Sequence, residues 1–388
     1  MPDRSYFDWN ATTPLRPQAQ EALAAALAAN GNPSSVHAEG RAARRVMELA
    51  RQQVAAVVGA QPPDVFFTSS GTEANMLALT PAIETRNERQ PRDKLLISAI
   101  EHSSVRAGGR FPHEAIADLP VDSEGRIDLE ALKHALSGTS RALVSIMLAN
   151  NETGVVQPVA EAAPIVHAAG GFLHVDAIQA TGRIPVDIGA LDADLLTLSA
   201  HKIGGPKGVG ALVRRGDALH IADPLIRGGG QERGMRAGTE NVAGIAAFGA
   251  AAAAACESFA SEAERMRGLR DGLEAGLKAI SPGAAIFGCG ADRLPNTTLF
   301  AVEGLKAETA VIAFDLEGIA VSSGAACSSG KVQPSHVLAA MGVSPALLRG
   351  AVRVSLGWTT TETEVERFLS AWRKLATALS KGQSGIAA

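Results

Sequence analysis

Between residues 60 and 215, short apolar runs alternate with segments of helical pattern. Several runs are apolar at nearly every position, which is typical of strands that are covered on both faces. Strands that alternate with helices in this way predict a layered α/β domain with a largely parallel sheet. The runs that we assign to strands are 64–68, 94–98, 141–148, 172–176, 194–199 and 209–215.

The pattern changes in the last third of the chain. An alanine-rich helix is predicted from Asn241 to about residue 280, with a break or bend along it, because the hexa-alanine run 250–255 strongly favours helix. Strands and helices follow it without the earlier alternation, which predicts a second, smaller α+β domain. The strands are expected at 296–302 and 352–356, and the helices near 306–316 and 362–380.

Length and composition restrict the class of protein. A chain of 388 residues is too long for one ordinary core, so two domains are expected. A net charge of −4 without a basic cluster disfavours a nucleic-acid partner. The N-terminus has no apolar signal segment, and the most apolar window, 242–256, is too short and too alanine-rich for a bilayer span. We therefore expect a cytoplasmic protein without a membrane partner.

The chain has three widely separated cysteines, Cys256, Cys289 and Cys327. Their spacing matches no metal-binding pattern, and an odd, sparse set without a signal segment predicts reduced thiols. No metal site is expected.

The segment SAHKIGGPKG, residues 199–208, carries the most informative lysine. Lys202 follows an apolar strand and opens into a glycine loop. An amine held at a rigid strand end and partly desolvated can attack a carbonyl to form a Schiff base. A surface lysine in a glycine turn would give the same local pattern, so this segment alone leaves both interpretations open.

Two further strands are followed by groups that suit an anion and a cation. In TSSGTEAN (68–75), a strand, a turn and a helix start place backbone N–H groups and Thr72 where a phosphate could bind. Ordinary helix capping by Thr72 with Glu73 is the alternative. Asp176 ends an apolar strand, where a carboxylate is costly unless it meets a cation. Gln179 lies one turn on and could reach the same ligand.

Two other strand ends carry Asn150 with Asn151, and His102. The asparagines are either binding groups or turn residues. A lone histidine is usually structural, but at a strand end His102 could contact an aromatic face or act as an acid or base.

Cys327 lies in SSGAACSSGKVQPSHVLAAMG, residues 322–342. Serine, glycine and alanine around it neither pack nor favour regular structure, so the thiol is expected to be exposed and mobile. Exposed free cysteines are generally kept for reactivity.

Taken together, these segments resemble the cysteine desulfurases, pyridoxal-phosphate enzymes of the aminotransferase fold type I. The resemblance runs from YFDWNATTP (6–14) to VRVSLGWTT (352–360), and the ordered set of motifs is highly specific. The motifs are TSSGTEAN, EHSSV, NNETG, DAIQ, SAHKIGGPKG, GGGQERGMRAGT, SGAACSSG and VRVSLG.

The resemblance implies a fold and a domain division. A large domain of residues 14–257 is expected to hold a mainly parallel seven-stranded sheet and the pyridoxal phosphate. A smaller α+β domain would combine residues 1–13 with 258–388 and carry the reactive cysteine loop at about 322–335.

The resemblance also implies roles at the coenzyme ring. Lys202 would bind pyridoxal phosphate as a Schiff base and later move the proton on the substrate Cα. Asp176 would pair with the pyridinium nitrogen and keep the ring an electron sink. Gln179 would bond the ring hydroxyl. His102 would stack on the ring and assist proton transfer.

Phosphate and substrate contacts follow in the same way. Thr239 is expected to reach the phosphate of a neighbouring subunit, which implies a homodimer. Arg353 would grip the substrate carboxylate as a fork, with Asn151 beside it. The residues implied at the phosphate are Ser70, Gly71, Thr72, Ser199 and His201.

Cys327 would then be the nucleophile of a sulfurtransferase. Its thiolate would attack the sulfur of bound L-cysteine, which leaves alanine and a persulfide on Cys327. An acceptor protein, such as an iron–sulfur scaffold or a sulfur carrier, would take this sulfur, and a mobile loop would let one thiol visit both places. The segment resembles the branch with the longer, flexible cysteine loop.

Four positions depart from the family pattern: Trp9, the pair Ser69 and Ser70, and Ser328 in place of threonine. None removes a group that the chemistry requires.

Other functions remain open on this fold. A selenocysteine lyase, an aminotransferase or another β-eliminating lyase would share the lysine, although a transaminase has no need of a thiol in a glycine-serine loop. A catalytically inactive, partner-binding subunit would be expected to lack the lysine or the cysteine, and both are present.

Overall fold

The computed structural model describes residues 4–85, 89–139, 141–324 and 334–384, with side chains to residue 379. Cys327 and Ser328 lie outside the described residues. The strands, in chain order, are β1 (Ser5–Tyr6), β2 (Val65–Thr68), β3 (Ile83–Thr85), β4 (Lys94–Ser98), β5 (Ile116–Leu119), β6 (Ala142–Met147), β7 (Phe172–Asp176), β8 (Leu195–Ser199), β9 (Gly210–Arg214), β10 (Leu219–Ile221), β11 (Ala285–Ile286), β12 (Thr297–Ala301), β13 (Ile319–Ala320), β14 (Ser322–Ser323) and β15 (Val352–Ser355).

Helices cover the sheets and connect their strands. They are α1 (Pro17–Ala28), α2 (Ala38–Ala56), α3 (Gly71–Ala78), α4 (Ser103–Arg106), α5 (Leu129–Leu136), α6 (Val159–Ala168), α7 (Val242–Ile280), α8 (Ala307–Leu316), α9 (His336–Ala340), α10 (Pro345–Leu348) and α11 (Glu362–Ser384).

The central sheet has seven strands in the order β2-β9-β8-β7-β6-β4-β5. Strands β5, β4, β6, β7 and β8 pair in parallel, whereas β9 is antiparallel to both β8 and β2. The expected mainly parallel seven-stranded sheet is confirmed. All six residues of β6 are buried, which agrees with their continuous apolar pattern. The edge strand β5 was not predicted, because it is short and only partly buried.

The register of the sheet aligns its strand ends. Met147 pairs with Asp176, and Asp176 pairs with Thr197 on the next strand. The carboxyl ends of β6, β7 and β8 therefore meet at one edge, where open α/β sheets form their binding crevices.

Helix α7 runs without interruption for 39 residues, so of the break or bend that the sequence suggested, the break is wrong. Asn241 caps its start, because its side-chain oxygen accepts a hydrogen bond of 3.0 Å from the N–H of Gly244. Small residues let α7 lie close to α2: a Cβ atom on Gly249 would come within 2.5 Å of the Ala50 Cα. The alanine-rich composition thus serves helix packing.

By length and apolar composition α7 could cross a membrane, which corrects the sequence-based statement that this region is too short. Half of its apolar window is buried inside the protein, and core helices have the same composition.

A second hydrophobic core lies around the antiparallel sheet β11-β12-β15-β14. Phe7 from the N-terminal segment packs in this core with Leu277 from the end of α7 and with Trp372 from α11. Phe248, near the start of α7, belongs to the core of the central sheet instead. This distribution supports the proposed division, in which residues 1–13 join the C-terminal part and the boundary falls within α7.

Candidate active site

A cavity of about 490 Å³ opens at the carboxyl edge of the central sheet. Eleven of the thirteen predicted site residues line it: Ser70, Gly71, Thr72, His102, Asn151, Asp176, Gln179, Ser199, His201, Lys202 and Arg353. Of the remaining two, Thr239 is exposed and is not part of the lining, and Cys327 lies outside the described residues.

Lys202 lies at the end of the short 3₁₀ turn that follows β8. Its Nζ donates hydrogen bonds to the carbonyl of Asn10 and, at 2.8 Å, to that of Ala11. Both of these residues line the cavity. The amine is thus half-buried and held inside the cavity, as a Schiff-base lysine requires.

Asp176 is buried at the end of β7, with both oxygens hydrogen-bonded. Oδ1 accepts from the N–H of Ile178 at 3.0 Å and Oδ2 accepts from Asn75 Nδ2 at 2.8 Å. Burial raises the pKa of Asp176, while these hydrogen bonds and the nearby His102 and Lys202 oppose that rise. A cationic ligand group at this carboxylate would remove the desolvation cost.

His102 caps α4, and its Nδ1 accepts a hydrogen bond from the N–H of Ser104 at 3.2 Å. The hydroxyl of Ser104 lies 2.8 Å from the same nitrogen and accepts from Asn75 Nδ2 at 2.9 Å, so it donates to Nδ1. This assigns the ring proton of neutral His102 to Nε2. Burial lowers the pKa of His102, which favours the neutral ring.

The turn before α3 forms the end of the cavity that suits an anion. Ser70, not Thr72, caps the helix, because Ser70 Oγ accepts from the N–H of Glu73 at 3.1 Å. The capping alternative for Thr72 is therefore wrong. Gly71 lies so close to its neighbours that a Cβ would come within 2.4 Å of Ile178 Cδ1 and 3.1 Å of Ser199 Cβ. A side chain at this position would force these neighbours to move, whereas glycine leaves bare amides at a helix N-terminus.

A histidine and a lysine also belong to the lining of this cavity. His201 and Lys207 both line it, and His201 Nδ1 is 3.2 Å from Thr12 Oγ1. Burial, with further contributions from Lys202, Lys207 and Arg183, lowers the pKa of His201 to about 4. His201 is thus a neutral hydrogen-bonding group in a cationic environment.

Arg353 is buried in β15 and approaches the cavity from the second domain. Its Nη1 donates to the Asn151 carbonyl at 2.9 Å and its Nη2 donates to Asp8 Oδ1 at 2.8 Å. Among the described residues, Arg353 Nε has no hydrogen-bond partner. A buried guanidinium with a donor still available is suited to a carboxylate ligand.

Gln179 is buried with its amide already engaged. Its Nε2 donates to the Asn10 carbonyl at 3.0 Å, and its Oε1 accepts from Arg183. Burial, with the neighbouring Arg353, lowers the pKa of Arg183 to about 9. A ring hydroxyl would have to share or replace these contacts of Gln179.

Sequence reasoning missed several residues of the site. Asn10, Thr12, Ser104 and Lys207 line the cavity, and Asn75 holds Asp176 from behind. Each lies inside a motif that the sequence analysis quoted, so the motif was the only signal available.

Two departures from the family pattern have structural roles. Trp9 is buried, donates from Nε1 to the Tyr6 carbonyl at 2.8 Å, and packs edge-on against Trp358 with 4.8 Å between ring centroids. Ser69 donates from its backbone N–H to Glu73 Oε2 at 2.8 Å, while Ser70 is the helix cap.

The donor set of the cavity fits pyridoxal phosphate. It combines an amine, a buried carboxylate, amides at a helix start and an arginine with an available Nε. Met147, Ala149 and Ile178 give the lining an apolar part suited to a ring.

Known proteins are similar to this chain in both sequence and fold. Residues 5–368 match the family model described as aminotransferase class-V. A cysteine desulfurase of Cereibacter sphaeroides is 44% identical over 374 residues, which cover 95% of this chain and 94% of the relative. A NifS-like protein from Rickettsia africae is 36% identical, with a TM-score of 0.84 over 96% of this chain and 99% of that one. A structure described as SspA in complex with cysteine is 30% identical, with a TM-score of 0.75 over 92% of this chain and 100% of that one.

The chain therefore belongs to the aminotransferase class-V family. Within that family, its relatives place it among the cysteine desulfurases, and the fold expected from that resemblance is confirmed.

Proposed function

We propose that this protein is a pyridoxal-phosphate-dependent cysteine desulfurase, a sulfurtransferase that converts L-cysteine to L-alanine and keeps the sulfur as a persulfide on Cys327. The observation that carries the proposal is the convergence of Lys202, Asp176 and Arg353 on one cavity. L-cysteine as substrate is supported by the homologous structure described as bound to cysteine.

The residues of the cavity divide between coenzyme and substrate. When bound, pyridoxal phosphate supplies an electron sink next to the substrate Cα. Lys202 would hold the coenzyme covalently, and Asp176, kept in place by Asn75, would pair with its ring nitrogen. Amides at Ser70 and Gly71, with Thr72, Ser199 and His201, hold the phosphate.

Substrate binding and proton transfer follow from the same geometry. Arg353 orients the substrate carboxylate beside Asn151, using the donor that has no partner among the described residues. The amine of Lys202 would move the proton at the substrate Cα. Neutral His102, with its proton assigned to Nε2, lines the same cavity, would lie against the coenzyme ring and could exchange a proton from Nε2.

Sulfur transfer is assigned to Cys327. Its thiolate forms a bond to the substrate sulfur while the substrate's carbon–sulfur bond breaks. The electron pair of that bond stays with the carbon, which takes up a proton and leaves as alanine. The persulfide that remains passes its outer sulfur to an iron–sulfur scaffold or another sulfur-carrier protein.

The proposal extends to assembly and location. Thr239 is exposed and does not line the cavity of its own chain, which agrees with a role at the phosphate of a second copy in a homodimer. We propose a cytoplasmic enzyme without a nucleic-acid or membrane partner.

One experiment tests the reaction. Purified protein is incubated with L-cysteine, pyridoxal phosphate and a reductant, and alanine and sulfide are measured together. Equal yields of the two support the proposal. Pyruvate or a keto acid as the product would instead identify another lyase or an aminotransferase, and a strong preference for selenocysteine in a parallel reaction would identify a selenocysteine lyase.

A further inference from the structure

The mechanism above leaves several buried carboxyls unused, and one of them, Glu101, lies next to the cavity. Glu101 follows β4 and precedes His102, and its side chain is inaccessible to solvent. Its Oε1 accepts a hydrogen bond of 2.5 Å from the N–H of Met147. Its Oε2 is buried and, among the described residues, has no hydrogen-bond partner. A buried carboxylate in such surroundings is costly, so the group calls for a physical explanation.

Glu101 and Asp176 belong to the same edge of the sheet. Glu101 accepts its hydrogen bond from the N–H of Met147, and Met147 is the register partner of Asp176 in the neighbouring strand. Met147 also lines the cavity. Glu101 therefore lies behind the cavity wall, adjacent to the carboxylate that is assigned to the coenzyme ring.

The two carboxyls have unequal support for a negative charge. Asp176 accepts two hydrogen bonds and has His102 and Lys202 nearby. Glu101 accepts one hydrogen bond, and burial together with the charge of Asp176 raises its pKa well above the ordinary value.

The other groups near Glu101 do little to offset the rise in its pKa. The cation that faces it, Arg106, already donates to the Ala99 carbonyl and to Asp118. His336, from α9, donates from Nε2 to the backbone carbonyl of Glu101 at 2.9 Å, and burial lowers its pKa. When two neighbouring carboxyls share a site, the better supported one carries the charge.

We infer that Glu101 is a positioning residue of the active site: buried beside Asp176 and protonated, it anchors the Met147 amide and confines the negative charge of the carboxyl pair to Asp176. This inference rests on the proposed function for its link to the coenzyme. The neutral state of Glu101 is a property of the chain itself and can be tested without the coenzyme.

The first test uses the coenzyme-free protein and Glu101→Gln, which keeps the shape and an acceptor for the Met147 N–H. A carboxyl whose folded pKa is raised costs stability as the pH rises above its unfolded value of about 4.5, because only the unfolded chain ionises it. The Tm of Glu101→Gln minus that of wild type should therefore increase by a few degrees from acid to neutral pH. Glu21→Gln, at an exposed position of α1, should show no such gain. A Tm difference that does not grow with pH would show that Glu101 is not protonated in the folded protein.

The second test measures binding of pyridoxal phosphate to the coenzyme-free protein by fluorescence. Glu101→Gln should bind within about twofold of wild type, whereas Glu101→Leu, which leaves the Met147 N–H without an acceptor, should bind about tenfold more weakly. Equal binding by both variants, or loss of binding in Glu101→Gln, would overturn the positioning role. Failure of wild type to bind pyridoxal phosphate would refute the proposed function instead, and the stability test would still decide the state of Glu101.

Discussion

Asn75 Nδ2 lies 2.8 Å from Oδ2 of Asp176, and Asn75 Oδ1 accepts from Thr197 Oγ1 at 2.7 Å. Asn75 is fully buried in α3, so its amide links that helix to β7 and β8 behind the cavity. Because the carboxylate of Asp176 can only accept, the NH₂ group of Asn75 has to face it, and the Thr197 hydroxyl, which can donate or accept, then donates to Oδ1. Asp176 is held in one orientation by a residue that does not line the cavity.

We predict that Asn75→Asp weakens binding of pyridoxal phosphate at least tenfold. A second carboxyl at hydrogen-bond distance cannot ionise together with Asp176, so the pair would hold a proton and the charge on Asp176 would be shared. Titration of the coenzyme-free protein with pyridoxal phosphate measures the effect. Asn32→Asp, at an exposed position, provides a matched control. Unchanged affinity in Asn75→Asp would show that Asn75 has no role in the charge of Asp176.

Lys202→Ala should remove the covalent link to the coenzyme, because the only amine assigned to this link is the one held at the carbonyls of Asn10 and Ala11. Borohydride reduction followed by peptide mass spectrometry should locate the coenzyme on Lys202 in wild type and nowhere in the variant. Lys207→Ala, which alters another lysine of the cavity lining, should keep the link. A reducible adduct in Lys202→Ala would move the Schiff base to another lysine.

Cys327→Ser should bind coenzyme and L-cysteine but form no persulfide, because serine cannot hold a sulfane sulfur. Cys256 and Cys289 are exposed free thiols on α7 and after β11, and their serine variants should retain activity. Sulfide release and mass spectrometry of the protein distinguish the three variants. Undiminished sulfide release in Cys327→Ser would assign the nucleophile to another residue.

Arg353→Lys should raise KM for L-cysteine about tenfold or more with a smaller effect on kcat, since lysine cannot reproduce a planar guanidinium that is held at both Nη atoms and still has Nε available for a carboxylate. It would also lose the simultaneous contacts to Asn151 and Asp8. Steady-state kinetics at saturating coenzyme give both constants. A change confined to kcat would contradict the assignment of Arg353 to ground-state substrate binding.

The coenzyme-free protein should lose stability as the pH falls below about 6.5, and His174 should account for part of this loss. Burial lowers the pKa of His174 to about 3, so the folded state keeps the ring neutral while the unfolded chain takes up a proton. The contribution of His174 to stability is fully present above its unfolded pKa, and it is lost at up to about 1.4 kcal/mol per pH unit as the pH falls. Chemical denaturation of wild type and His174→Gln between about pH 3 and pH 6.5 measures the free energy of unfolding at each pH. The variant should show a shallower slope, and parallel slopes would exclude a contribution from His174.

Much of the fold could be predicted because the relevant signals are local. The strands β4, β6, β7 and β8 are buried on both faces, so their apolar runs were visible without any partner. The half-exposed edge strand β5 has no such run, and it is defined by its pairing with β4. The helix α7 is continuous where a break or bend was expected, and Gly249 within it lies against Ala50 of α2, a contact between segments far apart in the chain.

The candidate site was likewise predicted in part from the sequence. Eleven of its residues follow strand ends or lie in family motifs, and the cavity brings these together. Asn75 and Glu101 lie in motifs that the sequence analysis quoted, but the sequence did not show that Asn75 holds Asp176, that Glu101 is buried or that Arg353 Nε has no partner among the described residues, because each depends on contacts between segments far apart in the chain.

The sequence by itself determined the class of chemistry, since a lysine, a carboxylate and an arginine at particular motif positions carry their reactivity wherever the chain places them. Tertiary structure alone decided the protonation states and the orientation of those groups. Burial, the direction of each hydrogen bond and the distance between like charges set the free energy of a proton, and none of these exists before the strands are side by side.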